Sequence, residues 1–187
     1  GRAVRTLQRQ RLHTLRGHSG EINSVSMTPD GRWAVSGSRD KTLRVWDLES
    51  SACLRTLEGH SGSVESVSVT PDGRRVVSGS RDKAIRVWEL ASGKCLFKLT
   101  AHSDRVNMVS VTPDGRSMIS GSSDQTLRVW DLENGQCLRV LAGHTGWVAS
   151  VSVTPDGRCA VSGSRDTTLR VWDLASGQCL RILTGHD

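Results

Sequence analysis

GHSGEINSVSMTPDGRWAVSGSRDKTLRVWD, residues 17–47, runs from a Gly-His pair to a Trp-Asp pair, and its outline returns three more times along the chain. Trp46, Trp88, Trp130 and Trp172 each stand 42 residues from the next. Self-similarity at such a period marks one supersecondary unit stacked on copies of itself, because no single unit can bury its apolar face alone. Within the first unit Ile22–Met27 (INSVSM) alternates apolar and polar side chains. TPDG follows at 28–31, where Pro29 presets φ and Gly31 accepts a positive φ, a hairpin signal. Residues 34–38 (AVSGS), a turn at 39–41, residues 43–48 (LRVWDL) and Cys53–Leu57 (CLRTL) complete four extended segments. The TPDG turn recurs at 70–73, 112–115 and 154–157, and these turns hold all four prolines. Period-two alternation and β-branched residues exclude a helical reading. The expectation is an all-β chain of four four-stranded antiparallel sheets.

Composition narrows the classes of partner. No apolar run approaches the roughly 18 residues a membrane helix needs, so no membrane partner is expected and a cytoplasmic setting is the default. The net charge of +6 is spread around the array, because Arg44, Arg86, Arg128 and Arg170 recur once per repeat. Arg2, Arg5, Arg9 and Arg11 form the one local basic run, but it has no interleaved aromatics: Tyr is absent and Phe97 is the single Phe. A solvated arm is favoured there over nucleic-acid binding. Cys53, Cys95, Cys137 and Cys179 share one repeat position and Cys159 stands apart. No CxxC pair suggests zinc or redox work, and equivalent positions sit one repeat spacing apart, so a disulfide, with its roughly 7 Å reach, is not expected unless neighbouring repeats touch there. All five are expected to be small buried or half-buried thiols. The first residue is Gly1 rather than Met, as expected of a processed chain or a fragment.

The 17–47 motif resembles the WD-repeat β-propeller family from its Gly-His opening to its Trp-Asp close, and the resemblance covers residues 11–186. Departures are small: Ala101 replaces Gly before His102, and Glu89 replaces Asp after Trp88. On this resemblance the chain divides into a basic arm with an orphan outer strand (1–16), repeats at 17–58, 59–100, 101–142 and 143–184, and the start of a truncated repeat (185–187). The resemblance also implies a buried hydrogen-bonded set in each blade. The first blade's would be His18, Ser36, Asp40 and Trp46, and the second's His60, Ser78, Asp82 and Trp88. The third's would be His102, Ser120, Asp124 and Trp130, and the fourth's His144, Ser162, Asp166 and Trp172. The serine could instead be the one two residues later, at Ser38 and its equivalents. A buried indole N–H needs an acceptor, and a Ser, His and turn Asp can supply one in relay. The same trio could suggest a hydrolase. Four copies at one spacing, without a GxSxG elbow, favour structure over catalysis, and no cofactor or metal is expected.

If the scaffold is constant, function should lie where the repeats differ. Family resemblance places one mouth of the ring at Glu21, Asn23 and Arg39, then Ser63, Glu65 and Arg81, then Arg105, Asn107 and Ser123, then Trp147, Ala149 and Arg165. Trp147 is an extra Trp, a residue type enriched at binding hot spots, whereas Trp33 reads as packing. The leading expectation is a non-catalytic scaffold that binds a protein or peptide, at the sensor end of a larger signalling protein. The alternative is a self-assembling structural half-propeller. The resemblance implies seven or eight blades, so four would be closed to an eight-bladed ring by homodimerisation, or belong to a longer array.

Overall fold

The computed structural model describes residues 14–185, and among these every regular element is a strand. Blade 1 consists of β1 (Ile22–Met27), β2 (Trp33–Ser38), β3 (Leu43–Asp47) and β4 (Cys53–Leu57), and blade 2 of β5 (Val64–Val69), β6 (Arg75–Ser80), β7 (Ile85–Glu89) and β8 (Cys95–Leu99). Blade 3 is β9 (Val106–Val111), β10 (Ser117–Ser122), β11 (Leu127–Asp131) and β12 (Cys137–Leu141). Blade 4 is β13 (Val148–Val153), β14 (Cys159–Ser164), β15 (Leu169–Asp173) and β16 (Cys179–Leu183). Each blade is an antiparallel meander with its strands paired in chain order. The second segment starts at Trp33, one residue earlier than its alternation suggests, and the third stops at Asp47. Trp33 pairs with Asp47 across the ladder, which accounts for both shifts. The basic arm and residues 12 and 13 of the orphan strand lie outside the described residues, as do residues 186 and 187; residues 14–16 are not in a strand.

Blades stack leading face on trailing face. Val35, Leu43, Val45 and Leu57 of blade 1 form one core with Val64, Val67, Val76, Trp88 and Leu90 of blade 2. Equivalent cores join blades 2 and 3, and blades 3 and 4. The second strand of one blade approaches the first strand of the next so closely that a Cβ on Gly37 of β2 would meet Val64 Cγ1 of β5 at 2.6 Å. The same layout leaves one face of each end blade uncovered. Val25 on β1 is 60% exposed where its counterpart Val67 is 6%, and Leu183 on β16 is 46% exposed where Leu57 is 2%.

One irregularity positions the site. In every blade the first strand carries a β-bulge where it pairs with the second, and the extra residue is Asn23, Glu65, Asn107 or Ala149. A bulge takes its residue out of the ladder's alternation and re-aims the side chain. The turn residue opposite is drawn in by a backbone bond: the N–H groups of Arg39, Arg81, Ser123 and Arg165 donate to the carbonyls of Glu21, Ser63, Arg105 and Trp147. All twelve variable positions therefore gather at the same ends of the four sheets.

Candidate functional site

Beneath this face each blade is held by one chain of hydrogen bonds. In blade 1 the Trp46 indole donates to Ser36 Oγ (2.8 Å), Ser36 Oγ lies 2.7 Å from His18 Nε2, and His18 Nδ1 lies 2.7 Å from Asp40 Oδ2. Trp88, Ser78, His60 and Asp82 repeat it in blade 2. Trp130, Ser120, His102 and Asp124 do so in blade 3, and Trp172, Ser162, His144 and Asp166 in blade 4. One proton arrangement gives every donor an acceptor. The imidazole is neutral, donates from Nδ1 to the carboxylate and accepts the serine hydroxyl at Nε2, which leaves the serine oxygen free for the indole. Ser38, Ser80, Ser122 and Ser164 have another task, accepting the backbone N–H of the Asp two residues on.

Electrostatics follow the same geometry. Burial alone would raise the Asp40 carboxyl, but hydrogen bonds from the Thr42 hydroxyl, His18 and the Thr42 and Ser19 N–H groups outweigh it and hold Asp40 well below its ordinary range. Asp124 and Asp166 are depressed in the same way. Asp82 is also lowered, burial being opposed by His60, although Ala84 stands where the other blades have a threonine and supplies only its N–H. Burial pushes His60 below its ordinary value of 6.5, against the pull of Asp82. The Ser-His-Asp order is that of a hydrolase relay, yet Ser36, Ser78, Ser120 and Ser162 are buried and their oxygens already accept an indole N–H.

On the mouth face, eight of the twelve variable residues satisfy one another. Arg39 pairs with Glu21 and Arg81 with Glu65, each at 2.8 Å. Asn23 Nδ2 donates to Ser63 Oγ and to the Val64 carbonyl of the next blade, both at 2.9 Å. Asn107 likewise reaches the buried Ser123 and the Val148 carbonyl, at 3.1 and 2.8 Å. Arg105, Trp147, Ala149 and Arg165 remain. Both guanidinium carbons lie over the Trp147 ring, 4.7 and 4.6 Å from its centroid, inside cation–π range. These four residues line one concavity with Glu65, Arg81 and Asn107.

The fourfold relay and its sheets coincide with a known repeat: the family described as WD domain, G-beta repeat matches residues 9–47, 51–89, 93–131 and 135–173. The chain belongs to the WD-repeat family. Each matched WD repeat begins ahead of the repeated His and ends with the residue after the repeated Trp. Among similar curated proteins is the ribosome biogenesis protein BOP1 homolog of Monosiga brevicollis, 50% identical over 40 residues, which is 21% of this chain and 5% of that protein. The U3 small nucleolar RNA-associated protein 21 of Saccharomyces cerevisiae is 44% identical over 43 residues, 23% of this chain and 5% of its own length. WD repeat-containing protein 18 of Bos taurus is 37% identical over 57 residues, 29% of this chain and 13% of its own length. This chain thus spans only a small part of these relatives.

The cysteines depart from expectation. Cys95 and Cys159 are half-buried, but Cys53, Cys137 and Cys179 are exposed. The repeated thiol opens the outermost strand, where Cys53, Cys95 and Cys137 accept from an Arg Nη1 at 3.5–3.7 Å, and of these Cys95 also packs against the core between blades 1 and 2. Trp33 does pack against the first core, although its indole nitrogen is buried without a partner. Among the described residues no three His, Cys, Asp or Glu side chains converge as metal ligands, and no helix is long and apolar enough to cross a membrane.

Two outcomes follow from the relay. Asp40→Ala leaves the His18 Nδ1–H and two backbone N–H groups without their acceptor and is expected to cost about 1–3 kcal/mol, read by urea denaturation; an unchanged midpoint contradicts the relay. The depressed Asp values contribute stability that is fully present above their ordinary 3.8 and is lost progressively as pH falls from there toward the lower folded values. His60, favoured neutral when folded, adds a smaller loss that begins below 6.5. Unfolding free energy should therefore decline gently below about pH 6.5 and steeply below about pH 4; a flat acid limb would refute the assignment.

Proposed function

We propose that this WD-repeat chain is a non-catalytic protein-interaction scaffold, and that its partner docks on the mouth face at Arg105, Trp147, Ala149 and Arg165. Repeats of this family generally serve as scaffolds for other proteins. One observation carries the choice of face: the polar side chains of blades 1 and 2 neutralise each other there, while an exposed indole and two guanidiniums without an ion-pair partner among the described residues remain at blades 3 and 4. Trp and Arg are the side chains that most often dominate binding energy. In this reading the module is the sensing end of a larger cytoplasmic signalling protein, supported by mouth residues that diverge on nearly identical blades. The ribosome-related names of the relatives rest on a repeat or so of similarity, which supports the blade and not that role. The double variant Trp147→Ala/Arg105→Ala should lose a partner captured by the wild-type chain while keeping its circular dichroism; full retention of the partner sinks this face.

A second reading, closure into an eight-bladed ring by a second copy, is favoured by the two uncovered faces. Ile22, Val25 and Met27 on blade 1 are exposed, as is Leu183 on blade 4, where Val161, Leu169 and Val171 are only half-buried. Inside the chain the counterparts of these two sets pack on one another. Two copies in head-to-tail contact would meet twice about a two-fold axis. Native mass spectrometry should then find about twice the 20.3 kDa chain mass, and a species at the chain mass alone would reject the ring.

A further inference from the structure

The four repeats provide an internal comparison at the bulge. In blade 2 the bulge residue is Glu65, and its carboxylate neutralises the turn guanidinium of Arg81 at 2.8 Å. In blade 1 Glu21, two positions earlier, does the same for Arg39. Blade 4 keeps the turn arginine, Arg165, but has Trp147 and Ala149 at the two positions that hold those carboxylates. Blade 3 contributes a second cation, Arg105, at the position equivalent to Glu21. Among the described residues neither Arg105 nor Arg165 forms an ion pair, and both lie over one indole.

We infer that the blade 3–blade 4 sector of the mouth binds an oxyanion carried on a protein partner, a Glu or Asp carboxylate or a phosphorylated side chain, which takes the place that Glu65 fills in blade 2. This deepens the mouth-face reading and rests on it. The chemistry is complementary at each contact. Each guanidinium presents a planar fork of N–H donors that matches a carboxylate or phosphate, and Arg165 carries the same fork that already holds Glu65 through Arg81 one blade pair away. Trp147 keeps the two cations beside one another, and its exposed surface is available to the partner's aliphatic stem. The concavity is about 290 Å³, at the small end of ligand sites, which suits one side chain with its adjoining backbone. Glu65, which also lines it, is already paired with Arg81, so the pocket's unbalanced charge is positive.

Blade 2 also supplies the decisive variant. Ala149→Glu builds into blade 4 the carboxylate that Glu65 gives blade 2, sixteen positions before the turn arginine in both cases. It keeps both arginines and the tryptophan while filling the site from within. The probes are four fluorescein-labelled peptides of one sequence with Glu, phosphoserine, Gln or Lys at two central positions, read by anisotropy at low and moderate salt against the intact chain. Glu and phosphoserine peptides are expected to bind at least about tenfold tighter than Gln or Lys peptides, with the ratio between the first two identifying the source of the oxyanion. Ala149→Glu and Arg165→Glu should each abolish that preference, while Arg39→Ala, at the self-neutralised blade 1, should leave it unchanged. Equal binding of the four peptides, or an Ala149→Glu variant that binds as wild type, overturns the inference. A single-stranded oligonucleotide that binds tighter than the acidic peptides overturns it too. If acidic peptides fail while a captured partner still depends on Trp147 and Arg105, the mouth face stands and the oxyanion proposal falls; if that partner ignores both residues, the face itself falls.

Discussion

The hydrogen bond from a buried indole N–H to a serine oxygen is the contact on which each blade depends. The indole sits on the third strand and the serine on the second, so the bond ties across the ladder inside the apolar layer. Its cost of desolvation is offset only if the serine proton has somewhere to go, which brings in the histidine from the loop before the first strand. The histidine in turn requires a carboxylate, and that carboxylate closes the turn between the second and third strands by accepting the N–H groups of Ser19 and Thr42. Arg39 and Arg165 immediately precede that Asp in their blades. The placement of a recognition side chain on the surface is thus set by a proton chain that ends on a core tryptophan.

Junctions between blades are less uniform than the blades. The Val67 and Val69 N–H groups donate to Ser24 and Ser26 Oγ of blade 1, and Val109 and Val111 donate to Ser66 and Ser68 of blade 2. Met108 replaces this serine in blade 3, where Asn107 instead holds the Val148 carbonyl. Blade 1 uses both devices, since Asn23 reaches Val64 as well. In blade 2 the serine ties leave the bulge position free for Glu65, whose carboxylate then serves the surface. Polar variation at the mouth is therefore partly the by-product of how neighbouring blades are fastened.

Much of the fold was legible because its signals are local and repeated: period-two alternation, the TPDG turns and the fixed Ser, His, Asp and Trp spacing all fall within one unit. The first strand of the first unit was read to the residue, and the indole acceptor at Ser36 is the earlier of the two serines considered. What stayed hidden involves two units at once. Asn23 finds its partner in Ser63 and Asn107 in Ser123, pairings that no single repeat contains and that remove those residues from the free surface. Arg105 and Trp147 occupy one repeat position in consecutive units, as the cysteines do, so sequence distance cannot tell contact from separation. Architecture can: β1 packs on β5, whereas the outer strands β4 and β8 do not. Cys53, Cys137 and Cys179 are exposed where a small apolar residue suggests a core, because they open the outermost strand, whereas Cys95 and Cys159 are half-buried as expected.

That difference between inner and outer strands also bears on the glycines at the inner end. A Cβ on Gly37, Gly79 or Gly121 would collide with Val64, Val106 or Val148 of the following blade at 2.6–2.7 Å, whereas Gly163 meets only atoms of its own blade. These three absent side chains set how near successive sheets come at the hub, while four strands set how far each sheet reaches outward. The spacing between successive blades is thus written in the smallest residue of the repeat, and a single methyl group there acts on each junction in turn.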